Sequence, residues 1–258
     1  MKRFLFFFLA LLAMLLAGMA EQRRLFLGRN PALKPAAGGG AACPSGLIAS
    51  WYADDSRDDA QGTNDLVEPT AAVHYTNGII NSGFWFKTGH FGIAEAIDGP
   101  DISFGSGVSK TFSFWIWPAQ TNNAYVSMVA KQTSGGGAEE YVSYLGPDTK
   151  LSWTFYQIDG GSTPIISAHP IQVSNWTHIV VAYDAGDGSL DMWQNGTNST
   201  TTATVNGTNT TSSLYFGYGP VSSIMWQGIV DEIQVYNAAL VHNDATNLYN
   251  FGLAKRCP

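Results

Sequence analysis

The stretch WQGIVDEIQVYNAAL, residues 226–240, has the pattern of one long β-strand that contains a single unexpected residue. Side chains alternate between the two faces of a strand, so Ile229, Asp231, Ile233 and Val235 are predicted to share one face. Three of these four residues are strongly apolar. A carboxylate in a row that faces a core is costly unless it is paired, hydrogen-bonded or bound to a cation. The stretch therefore raises the question of what Asp231 contacts.

The N-terminal segment predicts export. Residues 1–20 contain two early cations, an unbroken apolar run and the small residues Ala17, Gly18 and Ala20, a layout typical of a secretory signal peptide cleaved after Ala20. A retained single-span anchor is the alternative, because a spanning helix needs only about 20 apolar residues. Residues 21–42 are rich in Pro, Gly and Ala without a hydrophobic period, which predicts a flexible linker. We expect a secreted or cell-surface protein, with no membrane contact beyond the signal peptide.

The remaining residues, 43–258, have a length that suits one β-sandwich domain. Cys43 and Cys257 are the two cysteines of the chain, and they bracket this domain. An oxidising compartment permits a disulfide bond between them. Two free buried thiols are the alternative, but placement at the two ends of the domain favours the disulfide.

The charge of the chain argues against a nucleic-acid partner. The formal net charge is −7, and loss of Lys2 and Arg3 with the signal peptide would lower it to −9. Proteins that bind phosphate backbones carry clustered Lys and Arg, whereas the few cations here are scattered. Nucleic acid is therefore excluded as the expected ligand.

The order of apolar and polar residues beyond Cys43 predicts an all-β fold. Short alternating runs are separated by Gly, Asn, Asp and Pro, which is typical of an antiparallel β-sandwich or jelly roll. Residues 111–117, TFSFWIW, are apolar on both faces, as expected for a strand that is covered on two sides. A helical turn or two is predicted within 241–250. Strands are predicted near 46–52, 82–87, 90–93, 110–117, 125–131, 140–144, 150–157, 164–168, 176–183, 188–194, 199–205, 212–217 and 226–236.

Four segments carry a resemblance to a known family. They are ASWYADDSRDDAQGTND (49–65), KTFSFWIWP (110–118), NWTHIVVAYDAGDGSLDMWQNG (175–196) and GIVDEIQVYNAAL (228–240). In this order and spacing, they resemble the laminin-G-like jelly-roll domains of the concanavalin A-like lectin/glucanase superfamily. The resemblance covers residues 46–250 and implies an antiparallel β-sandwich of the concanavalin A-like jelly-roll type.

Two positions depart from the family pattern. Lys87 follows Phe86 where the family usually has F-D-G, which puts in doubt any ligand role carried over from that position. Trp117 stands where the family tends to have Lys, so an outward-facing Trp is predicted there.

The resemblance implies a partner for Asp231, because an Asp at this position in related domains binds a structural calcium ion together with backbone carbonyl groups. Ca²⁺ takes six to eight oxygen ligands, so one carboxylate with main-chain oxygens near residues 52–54 can suffice. Asp54 is added as a second candidate ligand. The alternative is that Asp231 accepts hydrogen bonds from backbone N–H groups or pairs with a cation such as Lys87.

The chain lacks the residue patterns of the main catalytic classes. Glucanases of this superfamily use an E-x-D-x-x-E strand, because a retaining mechanism places two carboxyl groups about 5–5.5 Å apart. The sequence has no such strand, no H-x-H or H-E-x-x-H pair and no G-x-S-x-G turn. We therefore expect a protein that is not an enzyme.

Binding remains as the expected function. The resemblance and the aromatic content predict an exported, lectin-like module that binds a carbohydrate or a cell-surface protein. Saccharides are commonly held by aromatic rings, and the candidate residues are Trp117, Tyr156, Trp226 and Tyr236. The alternatives are a structural or adhesive surface protein without glycan binding and a polysaccharide hydrolase or lyase with an unrecognised site.

Overall fold

The computed structural model describes residues 42–68, 73–87, 94–104, 107–120, 125–133, 139–157, 159–201, 208, 210–219 and 226–257. The chain divides between Ala37 and Gly38 into two units, and every described residue belongs to the second. The predicted signal peptide, nearly all of the predicted linker and the strand predicted at 90–93 lie outside the described residues. Among the helices of the described ranges, none has the length and apolar character needed to span a bilayer.

The described strands form two antiparallel sheets, which confirms the predicted β-sandwich. The first sheet has eight strands, seven of them in one continuous order and the eighth paired with one of these seven. Its strands, in spatial order, are β12 (Thr197–Thr201), β11 (Leu190–Gln194), β10 (Thr177–Tyr183), β5 (Lys110–Pro118), β14 (Gly228–Tyr236), β3 (Ser82–Phe86) and β2 (His74–Asn77), with β1 (Leu47–Trp51) beside β14. The strand β2 is absent from the sequence prediction.

The second sheet has six strands in the described part of the chain. Its strands, in spatial order, are β4 (Ala94–Ala96), β13 (Leu214–Phe216), β6 (Val126–Gln132), β7 (Glu139–Leu145), β8 (Leu151–Tyr156) and β9 (Ser162–Ile166). Alternation decides which side chains enter the core. In β8, for example, Leu151, Trp153 and Phe155 are buried while the residues between them are half-buried.

The core between the sheets is dominated by aromatic rings. Phe104 stacks on Phe112 at 5.3 Å between ring centroids and meets Phe155 edge-on at 4.9 Å. Tyr141 stacks on Trp153 at 5.3 Å. All five side chains are fully buried, and rings of this size contribute strongly to the stability of a sandwich.

A short helix, α1 (His242–Tyr249), covers part of the outer face of the eight-stranded sheet, and a 3-10 turn at Asn250–Gly252 follows it. Tyr249 stacks on Trp115 of β5 with ring centroids 5.8 Å apart. Ala245 packs in a buried cluster with Val180 and Trp193. The helix therefore explains why β5 is apolar on both faces, as the sequence predicted.

Cys43 and Cys257 form a disulfide bond with 5.5 Å between their Cα atoms, which confirms the prediction. The bond joins the two ends of the domain and packs with Leu240 and Leu248. It closes a loop of 214 residues. By the chain-entropy model such a loop stabilises the folded state by about 4–5 kcal/mol.

Strand β14 contains a β-bulge that changes the predicted face of Asp231. The register against β5 shifts between Asp231 and Gln234, and Glu232 has a positive φ of 50°. Because a bulge inserts one extra residue, the alternation reverses across it. Val230 and Ile233 face the core, whereas Asp231 pairs with Trp115 on the outer face. The prediction that Asp231 shares a core-facing row with Ile233 is wrong.

Candidate functional site

Two of the four predicted ligand-binding aromatics are buried. Trp226 has no exposed surface and packs against Phe86, with ring centroids 6.1 Å apart. Tyr236 is also fully buried beside Leu248 of α1, and its hydroxyl donates a hydrogen bond to Gln234. Neither ring is presented to a ligand, so these two predictions are wrong. The sequence could not indicate that α1 covers this part of the sheet.

The other two candidates, Trp117 and Tyr156, are partly exposed but lie on opposite faces of the sandwich. Trp117 points outward from the eight-stranded sheet, since its neighbour Ile116 faces the core. Tyr156 points outward from the six-stranded sheet, since Phe155 faces the core. The structure therefore does not bring them into one site.

Asp231 is fully buried, and backbone N–H groups surround its carboxylate. Ile79 N–H donates to Oδ2 at 2.8 Å, Ile80 N–H donates to Oδ2 at 3.3 Å, and Glu232 N–H donates to Oδ1 at 2.8 Å. Ile79 and Ile80 lie in the turn between β2 and β3. A Cβ on Gly78 in the same turn would lie 2.2 Å from Oδ2, so only glycine permits this close approach. Asp231 thus fastens the β2–β3 turn to the sheet.

Asp54 holds the other side of the same turn and belongs to an ionic network. Its carboxylate accepts hydrogen bonds from Asn81 Nδ2 at 3.0 Å and Ser82 N–H at 3.3 Å, and it pairs with Arg256. The Arg256 guanidinium also binds both carboxylate oxygens of Glu232, with Nε at 2.7 and 3.0 Å from them. The C-terminal segment beside the disulfide is therefore tied to the turn through charge-assisted hydrogen bonds.

These contacts do not fit a calcium cage. Six to eight oxygen atoms converge on Ca²⁺, whereas the recorded partners of Asp231 and Asp54 are N–H donors and a guanidinium. Across the described ranges, no group of three or more His, Cys, Asp or Glu side chains is placed to hold a metal ion. Asp231 instead accepts hydrogen bonds from backbone N–H groups, which is the alternative that the sequence also allows. Calcium binding remains a prediction.

Burial changes the proton affinity of this cluster. Desolvation raises the pKa of Asp231 well above its ordinary value, with the Glu232 charge adding to the effect. Desolvation also raises the pKa of Glu232 to about 7, although Arg256 opposes it. The acids around the turn are therefore a pH-sensitive part of the structure.

The outer face of the six-stranded sheet carries a group of partly exposed tyrosines. Tyr144 of β7 pairs with Ser152, which lies four residues from Tyr156 along β8. The backbones of Tyr144 and Tyr156 are therefore about 13–14 Å apart along the sheet, yet the two phenols are close enough that each affects the pKa of the other. Their side chains extend toward each other along the outer face of the sheet, and Val142 between them is fully buried.

Further tyrosines lie along the same face. Tyr125 is 61% exposed and meets Tyr144 edge-on, with ring centroids 6.3 Å apart. Tyr215 of β13 pairs with Ala130, and Tyr218 meets it edge-on at 6.3 Å. We call Tyr125, Tyr144, Tyr156, Tyr215 and Tyr218 the tyrosine face.

Polar groups lie among these rings. The Glu139 carboxylate lies near the Tyr156 hydroxyl, and Tyr215 pairs with Glu95 across β13 and β4, so each phenol has a carboxylate neighbour whose charge raises its pKa. Burial raises the pKa of both phenols, so they are neutral and can donate hydrogen bonds at ordinary pH. The tyrosine face thus combines flat rings with hydroxyl donors and carboxylate acceptors.

Two buried polar side chains of β6 make no side-chain hydrogen bond with the residues that the structure describes. They are Ser127, through Oγ, and Gln132, through both Oε1 and Nε2. A Cβ on Gly219 would lie 2.7 Å from Ser127 Oγ and 2.8 Å from Gln132 Nε2, so the glycine backbone passes directly over both. Buried polar atoms that are unpaired in this way call for an ordered water, since Gly219 shields them from a ligand on the face.

The sequence contains a signal for part of the tyrosine face. Outward positions of β7 and β8 follow from simple alternation, and Tyr144 and Tyr156 occupy two of them. Alternation does not indicate which of the two outer faces a helix covers. In this structure, α1 packs against the outer face of the eight-stranded sheet and not against the six-stranded sheet that carries the tyrosine face.

A jelly-roll sandwich with partly exposed aromatic side chains on an outer face belongs to the structural class that includes lectin domains. The chain itself belongs to the concanavalin A-like lectin/glucanases superfamily, since residues 91–245 match the Laminin_G_3 family model. This confirms the resemblance found in the sequence. No curated protein matches the chain.

Several solved structures are similar to this chain, and they include binding domains of toxins. The binding domain of Paraclostridial Mosquitocidal Protein 1 superposes with a TM-score of 0.68 at 17% identity, over 80% of this chain and 52% of that one. Domain 4 of AbnA, a GH43 extracellular arabinanase from Geobacillus stearothermophilus solved with arabinotriose, gives 0.62 at 18% identity over 84% and 100%. The botulinum neurotoxin serotype D ligand binding domain, solved with N-acetylneuraminic acid, gives 0.62 at 10% over 80% and 50%. The chain thus spans about half the length of the toxin domains, and these identities establish the fold alone.

Proposed function

We propose that this protein is an exported, non-catalytic module that binds carbohydrate through the tyrosine face. The observation that carries the proposal is the group of partly exposed rings on this face, in which Tyr125 is 61% exposed and meets Tyr144 with ring centroids 6.3 Å apart. The face of an exposed aromatic ring can stack on the C–H groups of a sugar, and aromatic side chains contribute large contact areas to interfaces.

The polar groups around the rings support the same ligand class. Neutral phenol hydroxyls and the carboxylates of Glu139 and Glu95 offer both donors and acceptors to sugar hydroxyls. Two similar structures were solved with a saccharide, and the Cys43–Cys257 disulfide suits an extracellular protein. These features support binding over a purely structural or adhesive role.

A glycan array tests the proposal. Wild-type protein is expected to bind a defined subset of saccharides, and Tyr125→Ala and Tyr156→Ala are expected to reduce that signal about tenfold each, because a lost ring contact is worth roughly 1.4 kcal/mol. Tyr125 is largely exposed, so its substitution should leave stability unchanged. Trp117→Ala serves as the matched control, since Trp117 is a partly exposed aromatic on the opposite face.

Three different outcomes would contradict the proposal. Binding that survives both tyrosine substitutions but is lost in Trp117→Ala would move the site to the eight-stranded sheet. An array without any bound saccharide, combined with strong self-association, would favour the structural or adhesive role. Turnover of a polysaccharide would show that the protein is an enzyme.

A further inference from the structure

Two partly exposed acids lie among the rings of the tyrosine face. Glu95 of β4 is the cross-strand partner of Tyr215, and burial together with the Glu95 charge raises the pKa of that phenol. Glu139, the first residue of β7, adds to the effect of burial on the pKa of both Tyr144 and Tyr156. A ligand that contacts these rings is therefore close to both carboxylates.

Further acids lie in the turns beside the face. A Cβ on Gly146 would stand 2.8 Å from Asp148 Oδ1 and 3.0 Å from a ring carbon of Tyr125, so the exposed Asp148 is a neighbour of that ring. Asp159 is exposed in the turn that follows Tyr156. The acids thus extend from one end of the face to the other.

Basic residues do not offset these charges. Lys131 is the one Lys or Arg within the six strands of this sheet, and it is fully buried, with Nζ 2.7 Å from Asp98 and 3.1 Å from Glu140. In the described turns that join β7, β8 and β9, Lys150 is the one basic residue, against two exposed acids. The described part of this face is therefore negatively charged.

The charge restricts which saccharides fit. A sugar hydroxyl can donate to the carboxylate of Glu95 or Glu139, and such charge-assisted hydrogen bonds are stronger than neutral ones. A carboxylate or sulfate on the sugar brings no donor and is repelled. A like charge about 4 Å away weakens binding by about fivefold in water, and by more where water is excluded.

We infer that the tyrosine face selects neutral saccharides and rejects acidic ones, and that Glu95 and Glu139 determine this selectivity. The inference rests on the proposed function of the face, to which it adds the class of sugar. By the same charges, a sugar with a free ammonium group binds at least as well as its neutral counterpart.

A glycan array that places each neutral saccharide beside the same saccharide carrying a sulfate or a uronic acid tests the selectivity. Wild type is expected to bind the neutral member at least about fivefold more strongly. In Glu95→Gln/Glu139→Gln, the two signals should come within about twofold of each other. The matched control, Asp55→Asn/Asp187→Asn, removes the same charge from exposed loops of the eight-stranded sheet and should keep the wild-type ratio.

Salt gives a second test that needs no variant. Because ions screen exposed charges, the ratio of neutral to acidic binding in wild type should decrease between 0.05 and about 0.5 M NaCl. A ratio that does not change with salt, or that the glutamine double variant retains, would overturn the role of Glu95 and Glu139.

Failure of the selectivity is distinguishable from failure of the proposed function. Acidic saccharides that bind as strongly as neutral ones, and that are lost in Tyr125→Ala and Tyr156→Ala, would overturn the selectivity but keep the face as a carbohydrate site. An array without any bound saccharide, or binding that survives both tyrosine substitutions, would overturn the proposed function and this inference with it.

Discussion

Replacement of Asp231 by alanine tests what this carboxylate does in the fold. The substitution removes the acceptor of three backbone N–H groups, those of Ile79, Ile80 and Glu232. Ile79 and Ile80 are partly exposed and can turn to water, whereas Glu232 is 2% exposed and its N–H would be left buried. At about 1–3 kcal/mol for the buried donor and less for the other two, the expected loss is about 2–4 kcal/mol.

The assay is a thermal melt of wild type, Asp231→Ala and Asp231→Asn. For a domain of this size, the loss corresponds to a decrease in Tm of roughly 5–15 °C. Asparagine keeps one acceptor oxygen at nearly the same position, so its decrease should be about half as large. The matched control is Asp148→Ala, an exposed loop acid whose substitution should change stability by less than about 0.5 kcal/mol.

Repeating the melts in calcium and in a chelator separates the two roles considered for Asp231. If N–H groups are its partners, the wild-type Tm is the same in both solutions and the loss in Asp231→Ala is equal in both. A wild-type Tm that falls on chelation, together with loss of that response in Asp231→Ala, would refute the hydrogen-bond account and establish a calcium ligand.

Three further predictions concern stability. Lys131 is fully buried and pairs with Glu140 at 3.1 Å, so Lys131→Met should lower the free energy of unfolding, measured in urea, by about 3–5 kcal/mol. The double variant Lys131→Met/Glu140→Gln should lose less stability than the sum of the two single variants. Strict additivity would contradict the pairing. Burial raises the pKa of Glu232 from 4.5 to about 7, so between these pH values the folded state binds more protons than the unfolded state. The free energy of unfolding should therefore fall as the pH rises from about 4.5 to 7. A Glu232→Gln variant whose free energy of unfolding falls as steeply with pH as that of wild type would assign the effect to another group. Joint replacement of Cys43 and Cys257 by serine should lower stability by about 4–5 kcal/mol, and an unchanged urea midpoint would show that the disulfide constrains little.

Much of the fold could be predicted because alternation and turn residues act locally. The strand TFSFWIW was predicted to be covered on both faces, and it lies between the core and α1. The face of Asp231 could not be predicted, because the bulge at Glu232 requires a positive φ that the side chain does not signal. The missed strand β2, HYTN, has little hydrophobic pattern and owes its pairing to the turn that Asp231 and Asp54 hold.

The site was harder to predict than the fold. Trp117 and Tyr156 were correctly placed on outward positions, but one sequence does not say that they belong to different sheets. The prediction of ligand binding by Trp226 and Tyr236 was wrong because Phe86 and α1 bury these side chains, and that burial depends on tertiary packing. The buried pair Lys131 and Glu140 has no sequence signal, since its members come from adjacent strands joined by a loop.

The most direct test of the tyrosine face is calorimetric titration of the saccharide that gives the strongest array signal into wild type, Tyr125→Ala/Tyr156→Ala and Trp117→Ala. Loss of two ring contacts predicts a Kd about 100-fold weaker for the double variant, with wild-type affinity in Trp117→Ala. Equal affinity in wild type and the double variant would contradict carbohydrate binding by this face.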